Sequence, residues 1–250
     1  MGRLKDKVAI VTGGGQGIGE AIARTLAADG ARVVVADISG KQEAVAASLG
    51  GDALACTVDV TCSESVASMV ATTVDHFGTV DVLCNNAGID GEIGPVAECT
   101  PENFDRVIAV NLRGVFLGTR HVLPTMLSRG GGSIINTASV ASVKAVPGGA
   151  AYCAAKAGVL GLTRATAADH SRAGVRANAV LPGVIETPMY TELMKHSAEL
   201  HEFVSAEAAR TAIGRTGSGS EVAEVVAFLA SDAASFITGA ALAVDGGYIA

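Results

Sequence analysis

Short apolar runs rich in β-branched residues alternate along the chain with longer stretches whose apolar residues recur every three or four positions. Residues 8–11, 31–36, 53–58, 80–84, 133–137, 175–180 and 241–244 read as strands. Residues 17–28, 41–49, 63–77, 101–127, 150–172 and 220–230 carry the helical pattern, the fourth running on through Pro124. Strands that are apolar at nearly every position must be covered on both faces, and regular strand–helix alternation makes the sheet parallel. The pattern therefore predicts one α/β domain over residues 1–250, a doubly wound parallel sheet with helices on both faces. No linker, repeat or low-complexity segment interrupts it.

Composition narrows the function classes. With 49% hydrophobic and 17% charged residues in a chain of 250, a heavily buried core is expected and disorder is not. A net charge of −7 gives no basic footprint, which argues against nucleic acid as a partner. Cys56, Cys62, Cys84, Cys99 and Cys153 are odd in number and scattered, without metal-like spacing, as expected of reduced thiols in a cytoplasmic protein that binds no metal. The charged start passes straight into a strand, and no apolar run approaches the ~20 residues that span a bilayer, so neither secretion nor a membrane is expected.

Two stretches carry chemistry. In Tyr152-Cys153-Ala154-Ala155-Lys156 the phenol and the ammonium stand four apart, hence on one helix face. A unit charge about 4 Å away at an effective dielectric of ~20 is worth roughly 4 kcal/mol, or roughly three pKa units. That would bring a tyrosine toward neutral pH, as a general acid/base for an alcohol or ketone requires. Between the first strand and helix lies Thr12-Gly13-Gly14-Gly15-Gln16-Gly17-Ile18-Gly19, where glycines let backbone approach a pyrophosphate and the helix amides attract its charge. Asp37, about twenty residues on at the end of the second strand, is placed to accept from ribose hydroxyls.

Further motifs follow in a fixed order: Asn85-Asn86-Ala87-Gly88, then Asn111, then Ser139 thirteen residues before Tyr152, then Pro182-Gly183 and Thr187. Together with the glycine turn they resemble the short-chain dehydrogenase/reductase family over essentially the whole chain. The resemblance implies a Rossmann-like fold and a hydride transfer between NAD and a secondary alcohol or ketone. It makes Tyr152 the acid/base, Lys156 its electrostatic partner and a ribose ligand, Ser139 the holder of the substrate oxygen, and Asn111 the holder of a water linking Lys156 to solvent. Cofactor contacts fall on Gly13, Gln16, Gly17, Ile18, Gly19, Asp37, Ile38, Asp59, Val60, Asn86, Ala87, Gly88, Tyr152, Lys156, Pro182, Gly183, Ile185 and Thr187. Asp59 has a second reading, as a cap for the helix near Ser63. NAD rather than NADP is expected, since Asp37 would repel a 2'-phosphate and neither Gln16 nor Ile38 is basic.

The substrate is a small alcohol or ketone, expected to be fairly apolar or cyclic, lined by Ser139, Ala141, Gly149 and Met189. A lid over about 186–215 holds Met189, Tyr190, Leu193, Met194, Leu200 and Phe203, which serve equally well as core contacts of short helices. The family pairs helices such as 103–127 and 150–172 across subunits, implying a homotetramer. Two other readings stand beside this one. One is a 3-oxoacyl carrier-protein reductase using Arg129 and Arg172 as carrier contacts; the other is a non-catalytic dinucleotide sensor or scaffold.

Overall fold

In the computed structural model residues 2–187 and 198–250 are described. Seven parallel strands form the central sheet: β1 (Val8–Thr12), β2 (Arg32–Asp37), β3 (Leu54–Thr57), β4 (Val82–Asn85), β5 (Gly132–Thr137), β6 (Val175–Pro182) and, last in the chain, β9 (Ala241–Val244). Their order across the sheet is β3-β2-β1-β4-β5-β6-β9. The helices are α1 (Gly17–Ala28), α2 (Gln42–Leu49), α3 (Ser63–Phe77), α4 (Pro101–Ile108), α5 (Gly114–Ser128), α6 (Ala150–His170), α7 (Ala198–Ala209) and α8 (Gly219–Ala230).

Period-two alternation sorts each strand's apolar residues between two layers. In β1 Ala9 and Val11 face one cluster, joined by Val33 and Val35 of β2, by Ile22, Ala23 and Leu26 of α1, and by Val222, Val226 and Leu229 of α8. Ile10 faces the other, with Val34, with Val66 and Met69 of α3, and with Leu117, Val122 and Met126 of α5. The parallel register of Ile10 with Val34 and Val11 with Val35 keeps the two sets apart. Each such side chain contributes about 1.5–3 kcal/mol by leaving water, so slipping a strand by one residue would forfeit both layers. Strand order reverses between β1 and β4, and the crevice beyond the strands' carboxyl ends at that point is where such sheets take ligands.

The structure departs from the pattern in three places. The single helix expected over 101–127 is broken: α4 passes into a π turn, Ala109–Arg113, before α5 resumes and accommodates Pro124. The helix expected to reach Arg172 ends as an α-helix at His170 and tightens into a 3-10 turn, Ser171–Ala173. Two short strands were not anticipated. β7 (Ile185–Glu186) and β8 (Gly217–Ser218) pair in parallel and tie together the two feet of the expected lid. Within that lid Met189, Tyr190, Leu193 and Met194 lie outside the described residues.

Candidate active site

The dinucleotide half of the site is built mostly from backbone. At the end of β1 the chain turns at Gly13 with φ +64, and a Cβ there would lie 2.8 Å from the Ala87 Cα. Only glycine allows both the left-handed conformation and that approach. Thr12 Oγ1 accepts from the amides of Asn86 (3.0 Å) and Ala87 (3.2 Å). Asn86 Nδ2 donates back to the carbonyls of Thr12 (3.2 Å) and Gly13 (3.3 Å), while Thr137 Oγ1 donates to Asn86 Oδ1 (3.3 Å). Gly19 sits where a Cβ would collide with the Gly13 carbonyl oxygen at 2.0 Å, which lets α1 start hard against the turn. Gln16, the N-cap of α1, makes no side-chain cap bond, so the first amides of that helix stay available to an anion.

Around this turn stand the other expected contacts. Asp37 ends β2, its Oδ2 accepting from the Gly15 amide and its Oδ1 from the Ser39 amide, both at 2.9 Å. Ile38 beside it is 66% exposed, open to a planar ligand. Lys41 Nζ donates to Gln16 Oε1 at 2.6 Å, placing a cation at this rim that inspection of positions 16 and 38 alone overlooks. Asp59 Oδ1 accepts from both the amide (2.8 Å) and hydroxyl (2.7 Å) of Thr61. It therefore shapes the turn before α3 and does not cap that helix, whose N-cap is Cys62. Val60 packs under Gly114, where a Cβ would meet it at 3.0 Å. Gly183 donates its amide to the Val244 carbonyl (3.1 Å), and Ile185 is buried in β7 just before Thr187. A turn without side chains, an uncapped helix and a carboxylate at the end of β2 suit a dinucleotide.

The catalytic half is built from side chains. Ser139 opens a 3-10 turn, Val140–Ser142, through a reciprocal capping box, its Oγ accepting from the Ala141 amide at 3.1 Å. Ala141 is thus nearly buried and holds Ser139 through its backbone. Tyr152 lies in the first turn of α6, close enough to Ser139 for that hydroxyl to favour the ionised phenol. Lys156, only 3% exposed, donates from Nζ to the Thr137 carbonyl at 2.8 Å and stands 5.6 Å from the centre of the Tyr152 ring. Gly88 lies beneath: a Cβ there would touch Asn111 Oδ1 at 3.2 Å and Lys156 Nζ at 3.4 Å. Asn111, fully buried in the π turn, accepts from the Ile89 amide (2.8 Å) and donates to the Ile89 carbonyl (2.7 Å). Gly149 caps α6 and bridges Gly94, joining the loop after β4 to the loop before Tyr152.

Electrostatics correct one expectation. Lys156 does not draw the free phenol toward neutrality, because burial pushes Tyr152 upward, with the nearby Asp90 carboxylate and Cys153 adding to it and the Ser139 hydrogen bond opposing. By solvent accessibility the tyrosine is only partly buried, so the density of atoms around it, more than lack of access, sets this direction. Burial also lowers Lys156 to about 8, against the pull of Asp90. A lysine that burial brings to about 8 is neutral over the range in which the raised phenol titrates, so its charge does not draw the phenol down.

Sequence reasoning named Asn85 only as part of a motif and missed Asn136 and Thr163, which with it hold the site. Asn85 Nδ2 donates to Asn136 Oδ1 (2.9 Å), Asn136 Nδ2 to Thr163 Oγ1 (2.9 Å), and Thr163 Oγ1 to the Val159 carbonyl (2.7 Å). This buried ladder fixes β4, β5 and α6 in one register. An asparagine amid an apolar strand was the available signal, since a buried amide must find partners.

A sequence profile described as Enoyl-(Acyl carrier protein) reductase matches residues 13–249. The chain belongs to the short-chain dehydrogenase/reductase family. This reductase is 42% identical over 251 residues to the cyclohexanol dehydrogenase of Acinetobacter sp. (strain SE19), covering 98% of this chain and 96% of that one. A crystal structure of levodione reductase superposes with a TM-score of 0.95 at 39% identity, covering 98% of each chain. A 3-ketoacyl-(acyl-carrier-protein) reductase from Brucella melitensis, complexed with NADH, superposes with a TM-score of 0.91 at 37% identity, covering 98% of this chain and 99% of that one. The protein is an oxidoreductase acting between alcohols and ketones with a nicotinamide dinucleotide. No described helix is long and apolar enough to cross a membrane.

Proposed function

We propose that the protein is an NAD-dependent dehydrogenase and reductase of neutral, ring-sized secondary alcohols and ketones. The observation that carries this reading is the meeting of Ser139, Tyr152 and Lys156, with Asn111 and Gly88 beside the Lys156 ammonium. Cyclohexanol dehydrogenase and levodione reductase support the substrate class by name. The exposed apolar residues Ile93, Val96, Val143 and Val146, on the two loops joined by the Gly94–Gly149 bridge, suit an apolar ring at the mouth.

The bound dinucleotide supplies the hydride acceptor or donor. The chain supplies the proton. Ser139, held by the Ala141 amide, offers its hydroxyl to the substrate oxygen and to the phenol of Tyr152. In reduction the neutral phenol protonates the oxygen as alkoxide character develops, and burial favours that neutral form. In oxidation Tyr152 must first lose its proton, so the rate rises with pH. Lys156, whose ammonium burial destabilises to about 8, favours the phenolate only while it is itself protonated, and it is placed to bind the ribose. Asn111 holds the Ile89 backbone under this cluster, beside the route a linking water would take.

NAD is favoured because Asp37 presents a carboxylate at the ribose position while the rim's cation, Lys41, is held by Gln16. Titration calorimetry should find NADH bound more tightly than NADPH, and equal affinities would sink the preference. The five thiols, free in the structure, support a cytoplasmic setting. Exposed Phe104, Phe116 and Leu127 on the α4–α5 pair support a homotetramer, which light scattering checks.

The carrier-protein reading fits less well. Arg172 lies in the 3-10 turn beyond α6, whose run from Tyr152 to His170 alone spans about 27 Å at 1.5 Å per residue. Arg129 precedes β5 and lines a cleft with Lys5, Lys7 and Arg32, at the opposite end of the sheet. Neither arginine is placed to present a carrier at the cavity. A screen of secondary alcohols with NAD, read at the reduced-nicotinamide band, tests the proposal. Turnover confined to carrier-bound oxoacyl substrates would overturn it, and no turnover at all would return the sensor reading.

A further inference from the structure

One acidic side chain beside Tyr152 and Lys156 has no part in the mechanism. Asp90 follows Ile89, whose backbone is clamped by both amide atoms of Asn111. Two residues later Glu92 is clamped in the same way: its amide donates to Asn103 Oδ1 (2.9 Å) and its carbonyl accepts from Asn103 Nδ2 (3.2 Å). Asn103 and Asn111 are buried, eight positions apart on the α4–π segment, so the stretch between them is fixed at both ends to one element. Gly91 closes the turn with φ +80, where a Cβ would run into Val107 Cγ2 at 2.4 Å.

Between these clamps the only side chain of any size is that of Asp90. It is partly buried, and the backbone just before it lies at the site, Gly88 against Lys156 Nζ and Ile89 in one apolar cluster with Tyr152, so its carboxylate stands near enough to act on both. Among the described residues it makes no hydrogen bond or ion pair. A carboxylate can only accept, and one half-withdrawn from water with no protein donor is open to a donor that a ligand brings. Two asparagines nevertheless hold its backbone where it stands. That is the construction of a preorganised acceptor whose donor arrives with the ligand.

We propose that Asp90 is a specificity-determining residue, accepting a hydrogen bond from a second hydroxyl of a neutral alcohol substrate and excluding substrates that carry a carboxylate. The assignment rests on the function proposed above. The reacting oxygen is taken by Ser139 and Tyr152, so a group reaching Asp90 must be another one on the same molecule. The Lys156 ammonium shares the cavity and opposes a cationic substituent, which leaves a neutral donor, the hydroxyl, as the group that fits.

The test compares cyclohexanol, the 1,2-, 1,3- and 1,4-cyclohexanediols and 4-hydroxycyclohexanecarboxylate by kcat/KM in the wild type, Asp90→Ala and Asp90→Asn. At least one diol should exceed cyclohexanol by about 10- to 100-fold in the wild type, the range of a hydrogen bond to a charged acceptor. That ratio should fall to near one in Asp90→Ala whatever the absolute rates. Asp90→Asn, which keeps an acceptor oxygen and loses the charge, should retain part of the ratio and admit the carboxylate substrate. A diol advantage that survives in Asp90→Ala, or none in the wild type, overturns the assignment while leaving the proposed function intact if cyclohexanol is oxidised. Failure of every ring alcohol overturns the proposed function instead. A substrate-independent arm then decides whether the carboxylate faces the phenol: absorbance titration of Tyr152, isolated by difference against Tyr152→Phe. The other groups acting on that phenol are Ser139 and Cys153, with the Lys156 ammonium 5.6 Å from the ring centre, and none is altered by the substitution. Asp90→Asn should move the midpoint to lower pH, and an unmoved midpoint overturns the assignment.

Discussion

The two long helices beside the cavity begin from similar patterns and deliver their residues differently. α6 runs unbroken for 21 residues, and the four-residue spacing of Tyr152 and Lys156 carries both into one cavity. The helical stretch from Pro101 to Ser128 instead changes pitch at Ala109–Arg113, and the residue presented there, Asn111, serves backbone twenty-two positions upstream. Two residues that act on each other need only helical periodicity. A residue that must meet another segment's amide and carbonyl together needs its helix shifted to fit, which is what a single π turn does. Close packing fixes that shift: at Gly118 a Cβ would lie 2.3 Å from Asn85 Oδ1, so α5 lies against the end of β4.

The contrast is broken most severely at Tyr152. Tyr152→Phe should lower turnover by about 10²- to 10⁴-fold while NADH binding, followed by calorimetry, stays nearly unchanged, because only the proton carrier is lost. Turnover close to normal would remove the tyrosine from the chemistry. Lys156→Ala should cost about 10²-fold and weaken NADH binding in the same variant, since one side chain serves both the phenolate and the ribose. A loss of rate with full NADH affinity would separate those two roles and contradict the second.

On the other helix the expected loss is in stability first. Asn111→Leu leaves the Ile89 amide and carbonyl without partners, at about 1–3 kcal/mol each, so urea unfolding should show a loss of about 2–6 kcal/mol. A change under about 0.5 kcal/mol, the usual surface range, would mean the clamp is dispensable. The smallest effect sharpens the proton assignment. Alcohol oxidation should rise with pH as Tyr152 ionises, and ketone reduction should fall over the same range. Ser139 lowers the phenol's pKa, so Ser139→Ala should shift the oxidation limb toward higher pH as well as slow it. A shift the other way would reverse the proposed direction of that hydrogen bond.

The parts legible in the chain were those whose cause is local. The glycine turn, Asp37 at the end of β2 and the Tyr152–Lys156 pair are each set by spacing within a few residues or by the length of one strand–helix unit. Asp90 and Asn103 were not legible, because an aspartate in a loop and an asparagine in a helix's first turn have many ordinary uses. Their meaning appears only when Glu92 and Ile89 are seen held against the same segment. Lys41 was missed for a related reason: α2 begins there, and the turn after β2 brings its ammonium to Gln16, twenty-five residues away in the chain.

What the sequence by itself determined was the sheet, its helices and the placing of Tyr152 and Lys156 on one helix face, since hydrophobic period and short-range spacing are properties of the chain. The tertiary structure decided the charge state of that pair and the company it keeps. Burial raises Tyr152 and lowers Lys156, and both directions depend on how many atoms from β5, α6 and the loop after β4 close around them. A residue's titration is set by the dielectric and the charges it meets after folding, and no spacing along the chain encodes either.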